Sequence, residues 1–272
     1  FKKVLMAKTG DSIVLSWKHL EYDKDKSPTV RNSHSIISDD KYKRIYIFGG
    51  RSKGGCNNHL YELTKDNLNK GWSYINCNGE LPQPRKSSSL VYLNGYLYLF
   101  GGNTKNNMLM NDLYKFEISK KTWELVTKPK NNIIPCPRDR HSMVVIKNKI
   151  YLFGGHSKNK EFLNDLWCYN PLNNTWKQIK TQKKSPHPRY EHICVCIGGH
   201  YLLVSGGKYN NGGLNDYWVL DTNKIIKWEE HIKECITNGS QEDQSKRVSW
   251  EQIKVLNDDL NNDVNNDDDN KQ

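Results

Sequence analysis

The chain alternates short apolar runs of strand-forming residues with clusters of asparagine, glycine, lysine and proline. Between 141 and 179 the runs are HSMVVI, KIYLF, DLWCYN and WKQI, separated by KNK, GGHSKNKEFLN and PLNNT. Four such runs in succession predict a four-stranded antiparallel unit. The second run ends in Gly154 and Gly155. A strand running into two glycines is either a loop that lets a phosphate approach the backbone or a tight structural corner.

The pattern returns three more times. RIYIFGG (44–50), YLYLFGG (96–102), IYLFGG (150–155) and YLLVSGG (201–207) carry the pairs Gly49–Gly50, Gly101–Gly102, Gly154–Gly155 and Gly206–Gly207. The second glycines lie 52, 53 and 52 residues apart. A tryptophan follows each pair, at Trp72, Trp123, Trp176 and Trp228. Between glycine and tryptophan sit NDLY (111–114), NDLW (164–167) and NDYW (215–218), which put Asp112, Asp165 and Asp216 at one repeat position; the first unit has NHLY, with His59 there. Upstream of each pair Arg31, Arg85, Arg138 and Arg189 open RNSHS, RKSSS, RDRHS and RYEHI. Repeats of about fifty residues with four strands each cannot bury their own flanks, so they are expected to pack face to face around an axis as propeller blades. The units run over about 31–84, 85–137, 138–188 and 189–235, within one propeller domain spanning 1–256.

These landmarks resemble the Kelch-repeat family of β-propellers, in the Gly-Gly pair, the Asn-Asp-aromatic step, the tryptophan and the PCPRDRHS lead-in at 135–142. The resemblance covers about Arg31 to Ile232 and implies an all-β Kelch-type propeller of four complete four-stranded blades. Partial closing strands are expected at IVLSWKHLE (13–21) and VSWEQIKVL (248–256). Six blades are common in that family, so the resemblance implies a fragment of a six-bladed ring or an atypical closing blade. The first unit departs at His59, and the second carries Ser88 where others have histidine.

Composition agrees with sheet. Hydrophobic residues make up 36% of the 272 residues and aromatics 11%, with 15 Tyr and 8 Trp, a mix that favours strands over helices. No run approaches the eighteen or so apolar residues of a membrane span. Seven irregularly spaced cysteines argue against a disulfide framework and for a reducing, intracellular, cytoplasmic setting. The sequence opens on Phe1 rather than Met, as expected of a piece of a longer protein. The net charge is +11, and residues 1–256 carry +16, because 257–272 hold six Asp against one Lys. That last stretch reads as a disordered acidic Asn/Asp-rich tail or linker. Lysine and asparagine are spread through every turn, so the charge reads as compositional bias rather than a nucleic-acid surface.

Phosphate chemistry is disfavoured: the sequence has neither GxxxxGK[ST] nor GxGxxG, and each glycine pair precedes another strand. His192, Cys194, Cys196 and His200 look like metal ligands, but CxC flanked by histidine is not a standard zinc spacing. Cys194 and Cys196 read as small buried thiols of an inner strand, and His192 occupies the repeat position of His34 and His141. The recurring Asp is expected to hold backbone N–H groups of the preceding loop. The recurring Arg is expected to pair with carbonyls or carboxylates between blades, and the four tryptophans to cover blade-to-blade packing. The copper oxidases that share this propeller need Tyr and His ligands and a Tyr–Cys crosslink, and no corresponding set is identifiable. A Kelch-type serine/threonine phosphatase would need GDxHG and GNHE, which this stretch lacks. No catalytic residue, metal or cofactor is therefore expected.

Recognition is expected on the face that carries the second-to-third-strand loops and the blade-to-blade links. Kelch propellers of this kind bind peptides or proteins there, and the resemblance places the residues after each repeat Arg around the pore. In this chain those are Asn32 and Ser33, Lys86 and Ser87, Asp139 and Arg140, and Tyr190 and Glu191. Arg140 leads, because its fork reads carboxylates, so a partner of acidic character is expected. Arg51, His156, Phe162 and Tyr209 are expected to assist as exposed loop residues. The reading is a non-enzymatic interaction scaffold or adaptor. The alternatives are a regulatory Kelch region of a larger enzyme or a propeller enzyme acting on a small sugar or acid.

Overall fold

A computed structural model describes residues 27–253 apart from 69, 130, 159–160, 182–183, 211, 226, 228–236 and 238–248. The strand at 13–21 and the acidic stretch 257–272 lie outside the described residues, as does Trp228.

Four antiparallel sheets form in chain order, each built strand one to strand four. Blade one uses Ser35–Asp39, Arg44–Phe48, Leu60–Thr64 and Ser73–Tyr74. Blade two uses Ser89–Leu93, Tyr96–Phe100, Leu113–Glu117 and Thr122–Leu125. Asn78–Gly79, the chain leaving blade one, adds to its outer edge as a fifth, parallel strand. Blade three uses Ser142–Ile146, Lys149–His156, Phe162–Asn170 and Thr175–Ile179. Blade four uses Ile193–Ile197, Tyr201–Ser205 and Tyr217–Asp221, closed by Glu251–Gln252.

The core lies between the blades. Blade one sets Tyr46, Phe48 and Leu60 against Leu97, Leu99 and Phe116 of blade two. Blade two sets Tyr98 and Phe100 against Leu152 and Trp167 of blade three. Blade three sets Tyr151, Phe153 and Leu166 against Leu202, Val204 and Leu220 of blade four. Strand alternation gives each sheet two apolar faces, so each inner blade is buried on both sides. A tryptophan from the fourth strand crosses every interface to a phenylalanine of the preceding blade: Trp123 to Phe48 at 5.4 Å, Trp176 to Phe100 at 5.3 Å, Trp250 to Phe153 at 5.4 Å.

The third of these is not the tryptophan that the repeat spacing marks. Spacing assigned the fourth tryptophan to Trp228, but Trp250 takes that place, and the strand beside it pairs Gln252 with Trp218. After Asp221 the chain turns helical at 222–225, and the fourth strand is supplied by Glu251–Gln252. An insertion between third and fourth strands breaks the count without breaking the fold, because an outer strand can arrive from any connection long enough to reach. Trp72 is only half-buried. By register it sits opposite Leu63 as Trp123 sits opposite Phe116, on the side of blade one turned away from blade two.

The glycine pairs are not simply corners. In blade three the second strand runs through Gly154–Gly155 to His156, with a register shift at the pair. Every pair has positive φ, and the missing Cβ atoms admit the next blade. A Cβ on Gly49, Gly101 or Gly154 would lie 2.7, 2.7 and 2.9 Å from the carbonyl oxygens of Arg85, Arg138 and Arg189. The second glycines donate to those same carbonyls: Gly50, Gly102 and Gly155 N–H at 2.9, 2.9 and 2.8 Å. Gly155→Ala would place Cβ 2.7 Å from the Asp139 carbonyl at φ +103°, whereas Gly95, at φ +86°, has nothing within 4 Å. Gly95→Ala is expected to cost backbone strain of about 1–3 kcal/mol and Gly155→Ala distinctly more. Urea unfolding of the two variants checks the order, and equal costs would refute the steric account.

Candidate functional site

Each repeat arginine is a junction between two blades. Arg85, Arg138 and Arg189 dock their backbone N–H groups on Asn57, Met110 and Leu163 carbonyls of the blade before. Their side chains reach back into their own blade. Each guanidinium is fully buried, donates to the carbonyl of Gly101, Gly154 or Gly206, and forks onto Asp112, Asp165 or Asp216 at 2.5–2.8 Å. The expected role of the Asp, holding backbone N–H groups, is therefore corrected: it holds the Arg, and the ion pair lies within a blade rather than between blades. Asp165 and Asp216 also accept the indole N–H of Trp167 and Trp218 at 2.6 and 2.7 Å. The bond from Arg189 holds the Asp216 carboxyl below its ordinary pKa, against the opposing effect of burial. In blade one, where His59 replaces the carboxylate, Arg31 instead meets the Asn57 side-chain oxygen at 3.0 Å and remains half-buried.

The residues after each arginine build the loop face. The first of each pair ladders with the residue after the glycines: Asn32 with Arg51, Lys86 with Asn103, Asp139 with His156, Tyr190 with Lys208. The second—Ser33, Ser87, Arg140 and Glu191—adopts φ of 54°, 56°, 53° and 55°. Four non-glycine residues in the left-handed region are costly. The reason is a chain of bonds from blade to blade: Ser87 N–H to Ser33 carbonyl at 2.7 Å, Arg140 N–H to Ser87 at 2.9 Å, Glu191 N–H to Arg140 at 3.1 Å. The sequence gives no sign of this conformation, since none of the four is Gly or Asn.

Side chains from blades three and four converge here. Phe162 stacks on Tyr190 at 5.2 Å and 16°, with His156 at 5.8 Å and Tyr209 at 5.5 Å from Phe162. Arg140 lies over the Tyr190 ring at 5.4 Å. Its Nε is 3.5 Å from Glu191 Oε1 and 3.9 Å from Asp139 Oδ2, and Lys208 Nζ reaches Glu191 Oε2 at 2.9 Å. Two expectations change. His156, Phe162 and Tyr209 are half-buried rather than exposed, because they pack on one another; Arg51 alone of that group is exposed. Asp139 is buried, 2% exposed, because the Asn103 amide donates to it. Arg140 itself lies between the carboxylates of Asp139 and Glu191. Asn32, Ser33 and Arg51 belong to blade one and Lys86 and Ser87 to blade two, joined to the cluster through the backbone chain.

His192 and His141 serve the blade interfaces. Each packs edge-on against the phenylalanine of the preceding blade, His141 on Phe100 at 5.5 Å and His192 on Phe153 at 5.4 Å. Burial depresses both, His192 to about 3 and His141 well below its ordinary value. Cys194 and Cys196 pack against the core between blades three and four, and burial pushes the Cys194 thiol up. Among the described residues no group of three His, Cys, Asp or Glu could hold a metal ion, and no helix is long and apolar enough to cross a membrane.

Residues 31–228 match a family described as FBX42, beta-propeller domain. The chain is 28% identical over 235 residues to host cell factor homolog hcf-1 of Caenorhabditis elegans, covering 80% of this chain and 29% of that protein. It is 30% identical over 192 residues to Kelch domain-containing protein 3 of Homo sapiens, covering 66% and 48%. It is 31% identical over 154 residues to Rho GTPase-activating protein gacHH of Dictyostelium discoideum, covering 53% and 10%. The chain spans about half or less of the length of these relatives.

Proposed function

The chain belongs to the FBX42 β-propeller-domain family of Kelch-type propellers, and from that premise we propose that it is a non-enzymatic, intracellular protein-interaction module that binds its partner on the loop face of blades three and four. The observation that carries this reading is the stacked Phe162–Tyr190 pair with Arg140 across it. Tyr and Arg in a packed, partly desolvated patch on a rigid scaffold are the residue types that dominate binding energy. Arg140 and Lys208 beside the patch, with Lys86 and Lys158 lining the cavity that Arg140 also borders, favour a partner of acidic character. Tyr190→Ala and Arg140→Ala are each expected to weaken partner capture at least ~10-fold, the scale of a loss above 1.4 kcal/mol, with thermal melting preserved. Full-strength capture of the same partners by both variants would refute this face.

The similarity to a Rho GTPase-activating protein of which the match covers 10% supports a second reading, a Kelch region that serves a larger enzyme. Activity of the full-length polypeptide, measured with and without this propeller, separates the two.

A further inference from the structure

Where the loop face passes from blade one to blade two it holds a small recess of about 280 Å³. Three segments build it. Blade one gives a hairpin tip, Arg51–Ser52 paired with Gly55–Cys56 and turning through Lys53 and Gly54. The lead-in of blade two gives Lys86, and its second-to-third-strand loop gives Lys105 and Asn107. Arg51, Lys53, Lys86 and Lys105 all line the recess, and among the described residues no Asp or Glu does. Among the described residues none of these four cations is in an ion pair. The cations of blades three and four differ, because Arg140 and Lys208 both face Glu191.

Backbone contacts set the positions of these groups. Arg51 exchanges backbone hydrogen bonds with Asn32 at 3.0 and 2.9 Å, and Lys86 exchanges two with Asn103 at 2.9 Å. The Lys105 stem crosses from blade two onto the hairpin, where a Cβ on Gly55 would lie 3.5 Å from its Cδ. Arg51, Lys53 and Lys105 are exposed and Lys86 is half-buried, so the cations are open to a ligand. Like charges around one hollow repel, and the field they focus there draws in an anion. The lining holds no aromatic ring and no Leu, Ile, Val or Met. It offers neither a platform on which a base could stack nor a wall for an acyl chain.

Resting on the loop-face reading above, we propose that this recess binds a phosphorylated serine or threonine of the partner peptide. The phosphate brings about −1.5 to −2 of charge at pH 7 and three acceptor oxygens, which suit the Arg51 fork and three lysine ammonium groups. A carboxylate brings one charge and two oxygens and leaves most of the recess without counter-charge. Lys86 and Asn107 also line the cavity that reaches Arg140, His156 and Lys158, so a peptide lying on Tyr190 and Arg140 has a continuous path to the recess. Asp139 of that cavity is buried, is bonded to the Asn103 amide and forms no ion pair with Lys86.

The test uses N-acetyl-phosphoserine methylamide as the probe, titrated into the full chain at fixed ionic strength and followed by NMR at the Gly54 and Gly55 amides. Saturable shifts are expected, with affinity at least ~10-fold above that of the matching glutamate probe. Arg51→Gln combined with Lys105→Gln should weaken the phosphoserine probe at least ~10-fold. Lys120→Gln, which removes a cation from the turn between the third and fourth strands of blade two, should leave it unchanged. A partner dephosphorylated before mixing should lose capture, and the chain lacking both Arg51 and Lys105 cations should no longer tell the two forms apart. Equal affinity for glutamate, absence of saturation, or equal weakening by Lys120→Gln would each overturn the site. Full-strength capture of the dephosphorylated partner, with inorganic phosphate still held in the recess, would assign a free anion and overturn the phosphopeptide. Probe binding that survives while Tyr190→Ala and Arg140→Ala leave capture unchanged overturns the loop-face reading alone.

Discussion

Asp165→Ala is expected to destabilise the protein by about 3–5 kcal/mol, because it leaves the Arg138 guanidinium buried without its counter-charge. Arg138 is fully buried, while Asp165 keeps 19% side-chain exposure, which favours the lower end of that range. The substitution removes both fork bonds and the acceptor of the Trp167 indole. It leaves only the Gly154 and Cys136 contacts to the guanidinium. For a chain of this size the melting temperature should fall by roughly 6–20 °C. Glu124→Ala is the contrast. The Lys115–Glu124 pair is just as clearly an ion pair, at 3.1 Å, but both partners are a third or more exposed, so its loss should stay within about 1 kcal/mol. Similar effects for the two variants, measured by urea unfolding, would show that the repeat Arg–Asp pair does not hold the blades.

The second large effect is loss of stability in mild acid. His141 and His192 are buried, and neither ring has a hydrogen-bonded nitrogen. Burial depresses both, His192 to about 3. In the unfolded chain each takes a proton near pH 6.5. Below that pH the unfolded state binds up to two more protons than the folded state, so stability falls as pH falls. It is fully present above about pH 6.5 and erodes down toward the folded pKa values. Two such groups bring the slope to at most about 3 kcal/mol per pH unit, so a loss of several kcal/mol is expected between pH 6.5 and 4.5. That approaches the whole stability of many domains. Asp216, held low by Arg189, adds to the loss only at lower pH, through the ordinary carboxylate range. His141→Leu and His192→Leu should each remove about half the slope between pH 6.5 and 4.5. A double variant that keeps the full slope would sink this explanation.

The two effects share a structural cause. The first glycine of each pair has no Cβ, and in blades two and three that space holds the next blade's Arg carbonyl and histidine ring: a Cβ at Gly101 or Gly154 would lie 2.9 and 3.1 Å from the His141 and His192 rings. Glycine, arginine and histidine recur together because one blade supplies the hollow and the next supplies what fills it. Blade two carries Ser88 in place of the histidine, and blade one's His34 is exposed, so the acid effect belongs to the two interfaces that follow blades two and three.

The repeat was legible because it is written in local chemistry. Strand-formers alternate with turn-formers, glycine marks positive φ, and a conserved register brings Arg, Asp and Trp back at near-fixed intervals within this one chain. From these the all-β class and the four blades followed without coordinates, whereas the pairing of each Arg with the Asp of its own blade did not. Interval counting assumes equal loops and pointed to Trp228, which lies outside the described residues, whereas the fourth strand of blade four arrives only at 251–252, with Trp250 at the interface. The left-handed Ser33, Ser87, Arg140 and Glu191 were invisible because their conformation is imposed by bonds to neighbouring blades rather than preferred by their side chains. The burial of the loop residues was not legible: Asp139 lies in a cavity and His156, Phe162 and Tyr209 pack together only because blades three and four bring positions 156 to 209 into contact. Sequence alone determined what repeats, since periodicity is a property of the chain. Tertiary structure decided what converges, since contact between residues of different blades depends on the stacking of whole sheets, which no single repeat encodes.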